Sequence, residues 1–152
     1  MALGRVDRIA LVVTDIDAAA RELEQLFDID LHIHDVASMR SRVGLCDEGF
    51  ELIEPYAAPA AAGTAGGGML AAIGLRVDDL EEARARMAAH GRELTSEIES
   101  PGGIRELFYA NGLAGFPVVL AEYPDGRFAT EAGATKAGPF TPRWISGAPN
   151  EA

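Results

Sequence analysis

Apolar and polar positions along this chain fall into short blocks, and the blocks recur. RIALVV (8–13) is a continuous apolar run, too short for a globular helix and ended by Thr14-Asp15, which predicts a buried strand. TDIDAAARELEQLF (14–27) then changes to helical spacing. Ile16, Ala19, Ala20, Leu23, Leu26 and Phe27 form one apolar stripe, and Thr14 or Asp15 can cap the free amides. Three further strands are predicted at LHIHDV (31–36), MRSRVGLC (39–46) and GFELIEP (49–55). On these, His32 pairs in face with His34, Arg40 with Arg42, and Glu51 with Ile53.

The Ala-, Gly- and Pro-rich run PYAAPAAAGTAGGGML (55–70) reads as a connector, after which the pattern restarts. AAIGLRV (71–77) matches the opening strand. LEEARARMAAH (80–90) predicts a second helix, with Gly91 as its left-handed cap. RELTSEIES (92–100), IRELFYA (104–110) and FPVVLAEY (116–123) predict three more strands. The order strand, helix, three strands therefore occurs twice, at a period of about 65 residues. This divides residues 5–125 into module one (5–56), a connector (57–69) and module two (70–125). A Pro/Gly-rich extension follows at 126–152, in which Phe128, Phe140 and Trp144 can cover an apolar surface. The fold class is α+β, with paired βαβββ modules forming a curved mixed sheet around a cavity.

Charge narrows the partners. Among 152 residues, 13 Lys and Arg stand against 24 Asp and Glu, a formal charge of -11, which argues against nucleic acid and anionic membranes. A small-molecule ligand is the expected partner. The single cysteine, Cys46, forms no internal disulfide, and its place in an apolar strand reads as core. No secretory pattern opens the chain, and its apolar runs fall well short of the roughly 18–20 residues that cross a bilayer. The expectation is a cytoplasmic protein.

VDRIALVVTDIDAA (6–19), GFELIEPY (49–56), GGGMLAAIGLRVDDLEEA (66–83) and VVLAEYPDG (118–126) together resemble the vicinal oxygen chelate superfamily. That superfamily includes glyoxalases, extradiol dioxygenases, methylmalonyl-CoA epimerases and bleomycin-resistance proteins. The pattern is most similar to the epimerase and glyoxalase branch. The resemblance implies a metal ligand, His or Gln, on the first strand of each module and a Glu on the last. Here those places fall on Arg8, in VDRIALVV where relatives show VDHIAIAV, and on Glu51, Ala72 and Glu122. Arginine offers no lone pair and alanine offers nothing, so both nitrogen donors are lost and no metal or other cofactor is expected. The acidic residue that related epimerases carry ahead of the third strand has no clear counterpart; Ser38 falls near that place and Asp35 is displaced.

The implied catalytic set is Arg8, Glu51 and Glu122. Arg8 would stabilise developing negative charge, and one carboxylate would move a proton. The same Arg8 can also serve as a structural ion-pair partner of either carboxylate. Candidate substrate-binding residues are His32 and His34, which can exchange protons, Arg40 and Arg42, which can hold an anion, and Tyr56 and Tyr109 as hydrogen-bond donors. Each has a plainer alternative in an exposed strand, a solvated edge or amphipathic packing. Glu106, alternating with Arg105, is expected to face outward, and His90 caps a helix. The functional expectation is a metal-independent isomerase, epimerase or lyase acting on a small oxygenated molecule. The alternatives are a noncatalytic binding or resistance protein and an atypical metal-dependent enzyme. Exposed-edge logic and the resemblance both favour a homodimer.

Overall fold

The computed structural model describes residues 4–57, 68–100, 103–124 and 142–147. Module one contributes β1 (Val6–Val12), α1 (Ile16–Phe27), β2 (His32–Val36), β3 (Ser41–Leu45) and β4 (Phe50–Pro55). Module two repeats the order with β5 (Met69–Arg76), α2 (Leu80–Ala89), β6 (Ser96–Ser100), β7 (Ile104–Leu113) and β8 (Phe116–Glu122); β9 (Arg143–Ser146) follows. Both helices start as their sequences dictate. Asp15 Oδ1 accepts the Ala18 amide at 2.8 Å, and Asp79 Oδ1 accepts the Glu82 amide at 2.8 Å, each satisfying an otherwise free donor of the first turn.

The strands form one curved mixed sheet in the order β2-β3-β4-β1-β5-β8-β7-β6-β9. At its centre β1 and β5 run antiparallel, with Ile9 opposite Ile73, Arg8 opposite Gly74 and Ala10 opposite Ala72. That reciprocal register relates the modules by an approximate two-fold axis through the Ile9–Ile73 pair. On each side the next strand is parallel: Ala10 stands opposite Glu51 on β4, and Gly74 opposite Val119 on β8.

The helices cover one side of the sheet. Leu80 and Ala83 of α2 pack with Val77, Leu107, Tyr109, Val118 and Leu120 into a buried cluster. Beneath α1, Ile16 is fully buried, and Gly44 lets Leu31 and Ile16 approach β3; a Cβ there would lie 2.7 Å from Leu31. Because side chains alternate along a strand, residues of the opposite parity face the other side and enclose a cavity. The element order and the fold class are those expected from the pattern.

Three local features differ from it. Ala37–Met39 forms a 3-10 turn and Arg40 takes a left-handed conformation (φ 50°), so β3 begins only at Ser41. Arg40 and Arg42 therefore do not form a same-face strand pair. Strand β7 continues to Leu113 before an Ala114-Gly115 turn in which both residues have positive φ. The extension supplies β9, which pairs with β6. Trp144 Nε1 donates to the Ser38 carbonyl at 2.8 Å, and Ser38 Oγ donates to the Pro142 carbonyl at 3.1 Å. The last strand of the sheet is thereby tied to the turn that follows β2, the strand at the opposite end. Phe128, Phe140 and most of the connector lie outside the described residues.

Candidate active site

The concave face of the sheet encloses a cavity of about 240 Å³. Met39, Leu45, Phe50, Ile53, Ile98 and Phe108 supply much of its apolar wall, and Ala10, Ala72 and Val119 form a buried cluster beside them. Its polar groups are Asp7, Arg8, Asp47, Glu51, Ser100, Glu106 and Tyr123, with Cys46 alongside.

Arg8 is the centre of this polar floor. Its Nε donates to Glu51 Oε2 at 2.5 Å, its Nη1 to Asp7 Oδ2 at 2.9 Å, and its Nη2 to Glu106 Oε1. Each of the three guanidinium nitrogens thus holds a different carboxylate. Tyr123 donates its hydroxyl to the same Asp7 oxygen at 2.6 Å, and Ser100 Oγ lies 3.4 Å from Glu106 Oε2. Asp7 and Arg8 are sequence neighbours, yet both reach the cavity. The β1–β5 register shifts between Val6 and Arg8, and that irregularity breaks strict alternation. Gly74, opposite Arg8, leaves room for the arginine stem; a Cβ there would lie 2.8 Å from Arg8 Cγ.

Burial dominates the electrostatics of Glu106. It pushes the carboxyl above its ordinary pKa; Arg8 opposes this, while Glu51 and Asp7 add to it, and the net shift is upward. The buried Glu106 carboxyl is therefore harder to ionise than a surface glutamate. Burial also raises the Tyr123 phenol, which stays a neutral donor to Asp7.

Of the three residues expected to converge, Arg8 and Glu51 do so and Glu122 does not. On β8, Val119 lines the cavity, so Glu122, of opposite parity, projects to the helix side, where its Oε1 lies 3.4 Å from the Leu80 amide. The two-fold register explains the difference: Val119, not Glu122, is the counterpart of Glu51, and Glu122 corresponds to Glu54. Glu106, expected to face outward, occupies the cavity instead, in line with Ile104 and Phe108.

The expected binding residues are placed elsewhere. His32 and His34 stand opposite Leu45 and Val43, on the concave face but outside the cavity wall. Arg42 faces α1, where its Nη1 and Nη2 hold Asp17 at 2.9 and 3.0 Å and Nη1 also reaches Glu54 at 3.1 Å. Its counterpart Arg105 likewise ties β7 to Glu81 of α2 at 2.8 Å. Tyr56 is exposed, with its hydroxyl 3.4 Å from Asp35. Tyr109 is buried on the α2 side, and its hydroxyl has no hydrogen-bond partner among the described residues. Asp7, Ser100 and Tyr123 were not singled out from sequence. The available signal was parity: Tyr123 shares the face of Val119, and Ser100 that of Ile98.

These residues do not fit the divalent metal that the fold implies. The four two-fold-related places hold Arg8, Glu51, Ala72 and Val119, which is one carboxylate, one permanent cation and two hydrocarbons. The guanidinium lies between Glu51 and Glu106, where a cation would have to sit. Among the described residues, no group of three or more His, Cys, Asp or Glu is arranged to hold a metal.

The family described as the glyoxalase/bleomycin resistance protein/dioxygenase superfamily matches residues 7–108. No curated protein matches the chain in sequence. Among solved structures, a variant of Streptomyces coelicolor methylmalonyl-CoA epimerase in complex with 2-nitronate-propionyl-CoA is similar, with a TM-score of 0.66 at 18% identity over 81% of this chain and 99% of that one. Mycobacterium tuberculosis methylmalonyl-CoA epimerase gives a TM-score of 0.64 at 20% identity over 79% and 87%. Likeness at this identity is a likeness of fold.

Proposed function

The chain belongs to the glyoxalase/bleomycin resistance protein/dioxygenase superfamily, and from that premise we propose that its cavity carries out metal-independent proton transfer on a small oxygenated molecule. Isomerisation, epimerisation and elimination all share this chemistry. The observation that supports the reading is the pair of carboxylates, Glu51 and Glu106, held by a single guanidinium at the floor of an otherwise apolar cavity.

In this reading Glu106, with its raised pKa, is the acid and Glu51 is the base. Glu51 uses one oxygen on Arg8 Nε, and its other oxygen takes no hydrogen bond among the described residues. That oxygen removes a proton from a carbon beside a carbonyl. Glu106 returns a proton to the oxygen or to a neighbouring carbon. Arg8 keeps both carboxylates in place, and its remaining N–H groups favour the negative charge that develops between them. Glu122, on the helix side, takes no part, and Glu106 is the second carboxyl of the site.

A second reading is ligand sequestration without turnover. It is favoured by the engagement of all three Arg8 nitrogens by acidic side chains and by the apolar wall. One experiment separates the two. The protein is incubated in D₂O with a cell-derived small-molecule extract, and the compounds are followed by mass spectrometry. Proton transfer predicts a compound that gains deuterium with the wild type and not with Glu51→Gln. A compound recovered bound but without deuterium would overturn catalysis in favour of sequestration. The fold carries no helix long and apolar enough to cross a membrane among the described residues.

A further inference from the structure

The charged side chains that line the cavity are not balanced. Asp7, Glu51 and Glu106 stand against Arg8 alone, and each nitrogen of Arg8 is already engaged by one of these acidic groups. A bound anion would meet three acidic groups and a guanidinium with its charge largely compensated. A bound cation would instead find an acceptor oxygen that the described residues leave open, the second oxygen of Glu51. The rest of the wall is apolar and includes the rings of Phe50 and Phe108, which also tolerate a positive charge nearby. At about 240 Å³ the space is smaller than most ligand pockets, which run from roughly 300 to 1,000 Å³.

We propose that the ligand of this cavity is a small apolar molecule carrying a protonated amine, its ammonium seated beside Glu51 and its body against Leu45, Phe50, Ile98 and Phe108. This rests on the reading of the cavity as a small-molecule site. It adds the charge of the ligand, which neither the fold nor the proton-transfer reading specifies. Three acidic groups around one committed guanidinium make the site selective by exclusion as well as by attraction, since a carboxylate-bearing analogue of the same shape is repelled.

The proposal carries a proton signature. The groups facing Glu106 are Arg8 and Asp7 from β1, Glu51 from β4, Ser100 from β6 and Tyr123 after β8. An ammonium among them adds a second positive charge and favours ionised Glu106. Binding therefore releases a proton while Glu106 is still protonated. Affinity rises with pH through the Glu106 titration, as long as the amine stays protonated.

The test uses three probes of one shape: benzylamine, benzyl alcohol and benzoate, titrated calorimetrically into the full chain in buffers of different ionisation enthalpy. Benzylamine is expected to bind about tenfold or more tightly than benzyl alcohol, with benzoate weakest and with proton release on amine binding. Glu51→Gln is expected to bring amine and alcohol within about twofold of each other. Benzoate binding as tightly as benzylamine, no preference for the amine, or no binding of any probe would overturn the proposal. Its failure is separable from that of proton transfer. An amine preference in a protein that exchanges no deuterium leaves this inference standing alone, and turnover of an anionic substrate does the reverse.

Discussion

Arg8 on β1 and Glu106 on β7 are hydrogen-bonded across the cavity floor, 98 residues apart in the chain. The contact joins the two modules through the cavity floor. Arg8 is nearly buried, with 15% of its side chain exposed, and so are its partners Asp7, Glu51 and Glu106. Burial makes such a group costly to leave unpaired, which gives the cluster its mechanical consequence.

Arg8→Met removes the one cation and leaves three carboxylates facing each other. Breaking a buried ion pair in this way typically costs about 3–5 kcal/mol. Urea unfolding should show a loss of that order, with Arg8→Lys losing less because a point charge remains. A midpoint unchanged in Arg8→Met would mean that the cluster contributes little to folding.

Arg8→His tests the metal argument from the opposite side. The imidazole would place a nitrogen donor between Glu51 and Glu106, completing three ligands where the wild type has a guanidinium. The variant should bind Co²⁺ with a visible absorption band, and the wild type should not. Equal Co²⁺ binding by both proteins at this cavity would mean that the Arg8 guanidinium does not keep a metal out.

Gly74→Ala probes the positioning of Arg8 without changing any charge. Its Cβ would lie 2.8 Å from Arg8 Cγ and 3.3 Å from the Arg8 carbonyl, so the arginine stem has to shift. The expected result is a stability loss of about 1–3 kcal/mol. In Gly74→Ala combined with Arg8→Met the loss should be smaller than the sum of the single losses. Full additivity would separate Gly74 from the cluster.

Trp144 is the only tryptophan, and its indole bond to the Ser38 carbonyl ties β9 to the turn after β2. Trp144→Phe removes that bond, which is worth about 0.5–1.5 kcal/mol. Amide exchange should quicken in residues 142–147 and at Ser38–Met39 while the centre of the sheet is unaffected. Unchanged protection at both places would detach β9 from module one.

The fold was legible because two independent periods agree. The helical stripe from Ile16 to Phe27 and the buried run at 8–13 recur at 80–90 and 71–77, and the sheet follows from that repetition. The site was legible only in part. Arg8 and Glu51 lie on β1 and β4, which pair in unbroken register from Ile9 opposite Phe50 to Val12 opposite Ile53. Asp7 reaches the cavity through an irregular register that no count of two foresees. Glu122 and Glu106 sit on β8 and β7, which are buried on both faces, so hydrophobicity does not tell their inner side from their outer one. The choice between them is made by pairing: Glu106 stands opposite Ala121, whereas Glu122 stands opposite Arg105, which reaches for α2. The strand at Arg143–Ser146 is short and takes its place from pairing with β6 and from the Trp144 bond, both non-local.

Glu106 is a buried acid held by Arg8, the guanidinium it shares with Glu51, and ¹³C NMR of the glutamate carboxyls tests this most directly. The Glu106 signal, assigned by its loss in Glu106→Gln, is followed as pH is raised. A carboxyl whose folded pKa is raised makes the folded state bind the extra proton, so its contribution to stability is complete below the ordinary glutamate range and is lost as pH rises through the raised value. The account predicts a midpoint above the ordinary 4.5, moving down toward it in Glu51→Gln, because the Glu51 charge helps hold the proton on. A midpoint at or below 4.5 that ignores Glu51 would contradict it.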